Sequence, residues 1–161
     1  MSVKARSRIL APKYAFLVQD WSGGFTTSRF QQCTGLEVAF AIAEYAEGGA
    51  IAPMKEATRA SFSNFTLSRG IDVVTDFWDW CMELCRMLGN LPTGRGVASP
   101  DQLRDFGIYQ LQRDRSVLKT VPCYNCQPAR FKPIDSDNMS DDIQIEELEV
   151  AYEFFDVVVA T

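Results

Sequence analysis

Two pairs of cysteines are the residues in this chain best spaced to do chemistry. Cys123-Tyr-Asn-Cys126 is a C-x-x-C, and Cys81 and Cys85 stand one helical turn apart. Four thiolates at such spacings could hold a tetrahedral zinc, and a C-x-x-C alone could act as a reactive dithiol. The elements that carry them argue against both uses. Cys123 and Cys126 fall in a strand pattern, where residues i and i+3 face opposite sides, so joint chelation needs a tight turn. Cys81 and Cys85 lie on the apolar stripe of a helix, where free cysteine packs as a small hydrophobe. Core packing is the expectation for all four. A small β-domain with a thiol or zinc site at Cys123 and Cys126 is the alternative of another class.

The remaining candidates are weaker. Glu146, Glu147, Glu149 and Glu153 crowd one strand, which reads as a solvated acidic face. A glycosidase or metal site needs carboxylates converging from separate elements. Gly23-Gly24, Gly48-Gly49 and Gly94-Arg-Gly96 lack the strand–loop–helix and lysine context of a phosphate cradle and read as turns. Arg59, Arg69, Arg113, Arg115 and Arg130 are interleaved with acids and read as surface pairs. The chain has no histidine, which removes His-based triads, proton shuttles and metal ligation. The expectation is no enzyme, no cofactor and no metal.

With 161 residues, 47% of them hydrophobic and 23% charged, the chain is expected to form a single domain over 1–161. A net charge of −5 is the opposite of a nucleic-acid footprint. An odd set of five cysteines and no export signal predict synthesis in a cytoplasm, with no membrane insertion.

The pattern is mainly β. Residues 1–12 read as an irregular arm, Tyr14–Gln19 and Thr26–Cys33 as strands. In the next strand Leu36, Val38, Phe40 and Ile42 alternate with Glu37, Ala39, Ala41 and Ala43, so bulky and alanine side chains take opposite faces. Residues 46–57 read as a glycine-bearing loop and Thr58–Arg69 as a bulged strand. One amphipathic helix spans about 73–88, with Asp72 or Thr75 as N-cap. Its apolar arc, with Trp80 and Met87 in a second stripe, is wide enough to face a neighbouring subunit, as is the alanine face of Ala39, Ala41 and Ala43. Residues 89–104 form a long loop, Asp105–Arg113 and Val117–Gln127 a hairpin, and Arg130–Ile134 a short strand. Asp135–Asp142 is an acidic loop. Ile143–Val159 reads as one long strand whose parity slips at Glu146-Glu147, predicting a bulge. The predicted architecture is an antiparallel β-sandwich or partial barrel with one flanking helix.

Thr34-Gly-Leu-Glu37, Glu44-Tyr-Ala-Glu-Gly-Gly49, Leu67-Ser-Arg-Gly-Ile71, Trp78-Asp-Trp80 and Ile145-Glu-Glu-Leu-Glu-Val-Ala-Tyr-Glu153 occur in the order and spacing of the inner tube proteins of contractile tails. The chain resembles this family, which includes phage tail tubes and the tubes of phage-tail-like injection systems, over roughly Tyr14–Val158. The type VI secretion tube protein is a structural relative. The resemblance implies a structural subunit of homo-hexameric rings that stack into a hollow tube. Sheath subunits would lie outside, baseplate or spike proteins at one end, and protein or DNA cargo in the lumen. It implies that Glu44, Tyr45, Glu47, Gly48 and Gly49 begin a loop gripping the next ring, with Met54 and Lys55 further along it. The long 89–104 loop and the five cysteines depart from the family pattern and make a tube-initiating or adaptor ring the nearer alternative.

Overall fold

A computed structural model describes residues 11–25, 30–49, 51–71, 73–88, 102–134 and 142–159. The predicted N-terminal arm, most of the 89–104 loop and the acidic loop therefore lie largely outside the described residues.

Two antiparallel sheets share one long strand. The first contains β1 (Phe16–Asp20), β6 (Arg104–Leu111) and the first half of β7 (Val117–Lys132). The short strands β9 (Phe154–Phe155) and β10 (Val158–Val159) lie on the far side of β7. The second sheet runs from the other half of β7 through β8 (Ile145–Ala151) and β5 (Phe65–Gly70) to β2 (Gln32–Thr34). Inward side chains of both sheets meet in one core: Val18, Phe106 and Ile108 from the first, Phe65, Leu67, Leu148 and Val150 from the second. Alternate residues of a strand face alternate sides, which is why β8 buries every second position.

The sequence pattern breaks β7 between Gln127 and Arg130, but the structure carries one strand through it. It changes sheets at a bulge. Arg104 pairs with Cys126 and Phe106 with Cys123, so Asp105 alone faces Tyr124 and Asn125. Asn125 adopts φ +53°, a left-handed conformation that asparagine tolerates better than most residues. Its backbone N–H donates to Asp105 Oδ1 at 2.9 Å and its Nδ2 to Glu153 Oε2 at 2.6 Å. The extra residue shifts parity by one. Cys123 and Cys126, expected on opposite faces, both point into the core with no exposed surface.

The bulge predicted at Glu146-Glu147 is absent. β8 pairs with β5 in unbroken register from Phe65–Val150 to Gly70–Ile145, and Glu146 is an inward position. It is buried because Arg69, read from sequence as a surface residue, is buried opposite it. Arg69 Nε donates to Glu146 Oε1, its Nη1 to Asp76 Oδ2 at 3.2 Å and its Nη2 to the Val74 carbonyl at 3.3 Å. The guanidinium lies 3.9 Å over the Phe77 ring. Burial on its own would lower the Arg69 pKa, but the hydrogen bonds and charges of Asp76 and Glu146 together raise it.

That cluster pins the start of α1 (Asp76–Met87) to the second sheet. Thr75 holds the N-cap position without a side-chain cap bond; its hydroxyl donates to Asp79 Oδ2 instead. The buried face is Phe77 and Trp80, with Cys81 and Leu84 half-buried beside them. Trp80, predicted to face a neighbouring subunit, is 1% exposed. Its ring packs between Phe25 and Phe106, and its Nε1 donates to the Gln102 carbonyl at 3.2 Å. An indole with its N–H bonded internally completes the subunit's own core. Trp78, at 50% exposure, is the helix tryptophan that faces out. No helix among the described residues is long and apolar enough to cross a membrane.

Candidate functional site

Between β2 and β5 the chain leaves the sandwich. β3 (Glu37–Tyr45) and β4 (Met54–Ser63) pair only with each other, as a two-stranded antiparallel sheet. Every residue of both strands is exposed. At about 3.3 Å per residue the hairpin is about 30 Å long.

Gly35 marks the departure. Its φ of +99° is glycine's territory, and a Cβ there would stand 2.5 Å from the Asn64 carbonyl oxygen. Chain exit and chain return are thus packed backbone to backbone, a contact that only glycine allows. This is the structural work of the Thr34-Gly-Leu-Glu37 phrase. Asn64 separates β4 from β5 and accounts for the parity change predicted as a bulge within Thr58–Arg69. The hairpin's bulge lies elsewhere, where Ala41 pairs with Arg59 and Ile42 with Ala57, leaving Thr58 extra. Thr58 Oγ1 donates back to the Ala41 carbonyl at 3.1 Å.

The predicted 46–57 loop is shorter than expected. Residues 54–57 belong to β4, because Met54, Lys55, Glu56 and Ala57 continue the ladder opposite Tyr45, Glu44, Ala43 and Ile42. Glu44 and Lys55 form an exposed ion pair at 2.7 Å. Tyr45 and Met54 pair at the tip, 64% and 71% exposed. Glu47, Gly48 and Gly49 form the turn, with Gly49 at φ +93°. All seven residues singled out for inter-ring contact are thus drawn together at one tip, as strand ends or in the connection between them. Met87 is half-buried near the end of α1, far along the chain from that tip.

Pairing across the ladder gives the hairpin two different faces. One carries Val38 with Phe62, Phe40 with Ala60, and Ile42 with Ala57. The other carries Glu37 with Ser63, Ala39 with Ser61, Ala41 with Arg59, and Ala43 with Glu56. The first face is continuous with the domain only at its base, where Phe62 meets the rings of Tyr152 and Phe155 at 6.0 and 5.7 Å and the Tyr152 hydroxyl donates to the Glu37 carbonyl. Beyond that, Phe40 and Ile42 stand 58% and 53% exposed. The sequence marks these as bulky strand positions without showing that the subunit's own core ends before it reaches them. Ile51, fully exposed beyond the tip, carried no signal at all.

Six large side chains (Val38, Phe40, Ile42, Tyr45, Met54 and Phe62) are between 37% and 71% exposed. Together they leave on the order of 600 Å² of apolar surface in water, given 150–250 Å² for a large side chain. The share on the Val38–Phe40–Ile42–Phe62 face is roughly 350 Å², within the range of the largest patch a typical monomer exposes. A lone two-stranded hairpin is marginally stable, and its unpaired edges invite another chain.

Four of the five thiols sit in surroundings that hold them protonated. All five cysteines are free, and no group of three or more metal-ligating side chains occurs among the described residues. Burial pushes Cys33 and Cys123 up to about 12 and Cys81 up to about 11, and raises Cys126 further. These are protonated, unreactive thiols.

A family model described as T4-like virus tail tube protein gp19 matches residues 12–156. The chain belongs to this tail tube family. Solved structures agree in fold. A chain of the sheath–tube complex of the PVC extracellular contractile injection system, in its extended state, superposes with a TM-score of 0.74 at 20% identity, covering 96% of this chain and 95% of that one. A chain of the tube-terminating cap of the anti-feeding prophage gives 0.77 at 18% identity, covering 99% and 100%. Hcp1 from Flavobacterium johnsoniae gives 0.52 at 11% identity, covering 91% and 97%. No curated protein sequence matches the chain significantly. This tail tube protein is thus a tail-tube component by family, and its fold is shared with the PVC and anti-feeding-prophage chains.

Proposed function

We propose that the protein is the inner-tube subunit of a contractile injection machine, assembling as homo-hexameric rings that stack into a hollow conduit for cargo. The observation that carries this reading is the β3–β4 hairpin, two strands exposed on both faces on a domain whose core is otherwise complete. A repeated heterologous contact would cover it and, when propagated along an axis, builds a filament. The tip formed by Tyr45, Glu47, Gly48, Gly49 and Met54, at the end of the hairpin away from its base, is the element assigned to the next ring. Sheath subunits around the tube and baseplate or spike proteins at its end are the remaining partners. The subunit itself performs no catalysis and is made and assembled in the bacterial cytoplasm.

Negative-stain microscopy of the purified protein tests the reading: rings or tubes are expected, and a strictly monomeric protein under all assembly conditions overturns it. Replacing residues 46–53 with Asn-Gly should preserve the fold by circular dichroism and permit single rings while abolishing stacking. Tubes of normal length from that variant would remove the tip from the inter-ring contact.

A further inference from the structure

We infer that the hairpin's two faces have opposite fates on assembly. The Val38–Phe40–Ile42–Phe62 face is covered by a second copy of this chain, and the Ala39–Ala41–Ala43 face stays wet as the wall that cargo meets. The inference rests on the tube reading and reverses the sequence expectation, which gave the Ala39–Ala41–Ala43 face to the neighbouring subunit.

The first argument is continuity. At the hairpin base the bulky face is already covered by the subunit's own Tyr152 and Phe155. The next residues on the same face, Phe40, Ala60, Ile42 and Ala57, have no polar atom in their side chains, so their cover must be equally apolar. The second is area. Val38, Phe40, Ile42 and Phe62 leave roughly 350 Å² of this face exposed, a substantial share of the roughly 800 Å² that one partner contributes to a stable interface. A self-assembling tube protein brings its own copies to that surface first. The third is the composition of the other face. Glu37, Ser61, Ser63, Arg59 and Glu56 alternate with alanines there, and Ser61 bonds back to the Ala39 carbonyl. Small side chains with two carboxylates and one guanidinium per copy make a smooth, hydrated, mildly acidic wall. Such a wall offers no apolar anchor to a passing chain and repels acidic cargo weakly. The sidedness inverts at the tip, where Tyr45 and Met54 stand on the alanine side and the Glu44–Lys55 pair on the bulky side. The tip is thus set apart from the wall, as a contact of its own requires.

Adjacent residues on opposite faces test this. Phe40→Cys and Ala41→Cys are each mixed at about one copy in ten with wild-type protein, assembled, and treated with a small maleimide. Ala41→Cys should react in the assembly at least ten times faster than Phe40→Cys, and the two should react alike after dissociation. Equal rates in the assembly, or faster reaction at Phe40→Cys, overturn the assignment while leaving the tube reading intact. Failure of the wild-type protein to assemble, seen by light scattering, overturns both. In a second arm, Phe40→Asp should abolish rings and Ala41→Asp should retain them, with unchanged circular dichroism in both. Rings from Phe40→Asp would refute the inference whatever the labelling shows.

Discussion

Arg69 is the side chain on which the second sheet and the helix both depend. It joins β5 to β8 through Glu146 and to the first turn of α1 through Asp76, all three side chains being 10% exposed or less. Removing one member of a buried ionic cluster leaves the others desolvated and unpaired, which costs about 3–5 kcal/mol. Arg69→Ala should therefore lose about that much stability in urea denaturation, while Arg130→Ala, whose exposed pairing with Glu149 is worth under about 1 kcal/mol, should change little. Equal losses would mean that the cluster is no more than a surface pair. The buried thiols set a different dependence. Cys123 is raised from 9.0 to about 12 by burial, so the folded state keeps its proton where the unfolded chain has lost it. A raised folded pKa stabilises fully below the unfolded value, and that stability is lost as pH climbs from about 9 toward about 12. Under reducing conditions, urea titrations from pH 8 to 11 should show wild type losing more stability than Cys123→Ala, by up to about 1.4 kcal/mol per pH unit above 9. Parallel pH profiles would show that this thiol is not held protonated.

Among the elements, β7 decides the architecture, since one strand that bulges at Tyr124-Asn125 serves both sheets. Asn125→Gly keeps access to the left-handed conformation and should cost little beyond the lost bond to Glu153. Asn125→Val, β-branched at φ +53°, should cost about 1–3 kcal/mol, measured by thermal or chemical unfolding. A valine variant as stable as the glycine one would mean that the bulge relaxes freely. The same bulge explains a limit on what the sequence discloses. Helix, strand alternation and glycine turns are local, and they place α1, β1, β3 and β6 within a few residues, whereas the strand predicted over Ile143–Val159 is divided into β8, β9 and β10. The inward turn of both Cys123 and Cys126 depends on one unpaired residue opposite Asp105, which no local period reports. Glu146 misled in the opposite way. A strict alternation Glu146, Leu148, Val150 was present, but a carboxylate at an inward position reads as outward until its partner Arg69, 77 residues away, is in place. Trp80 was misplaced for a related reason: a wide apolar arc shows that a helix is buried but not which third of it meets its own sheet. The hairpin's seat at Gly35 was legible as a glycine turn, whereas the end of the core at Phe62 was not.

For the whole molecule, the sandwich and the hairpin have separate sources of stability. The sandwich holds a contiguous core on its own. The hairpin has its substantial contacts within itself, and a free two-stranded sheet is marginal in water, so its order must be coupled to whatever covers it. Assembly then stabilises by mass action, and apparent stability rises with protein concentration. Hydrogen exchange followed by mass spectrometry separates the two units. In dilute, dissociated protein, amides of β6 and β7 should exchange slowly, near the rate set by global unfolding. Those of β3 and β4 should exchange through local opening, at least tenfold faster. On assembly, protection should rise selectively at 37–45 and 54–63 and change little at 104–111. The melting temperature should climb with concentration for wild type and stay flat for Phe40→Asp. If β3 and β4 are as protected in the dissociated subunit as β6 and β7, the hairpin is stable by itself, and its exposed apolar face no longer implies a second copy. The two stability scales would then collapse into one cooperative unit, and the surface that distinguishes this chain from a self-contained β-sandwich would need another explanation.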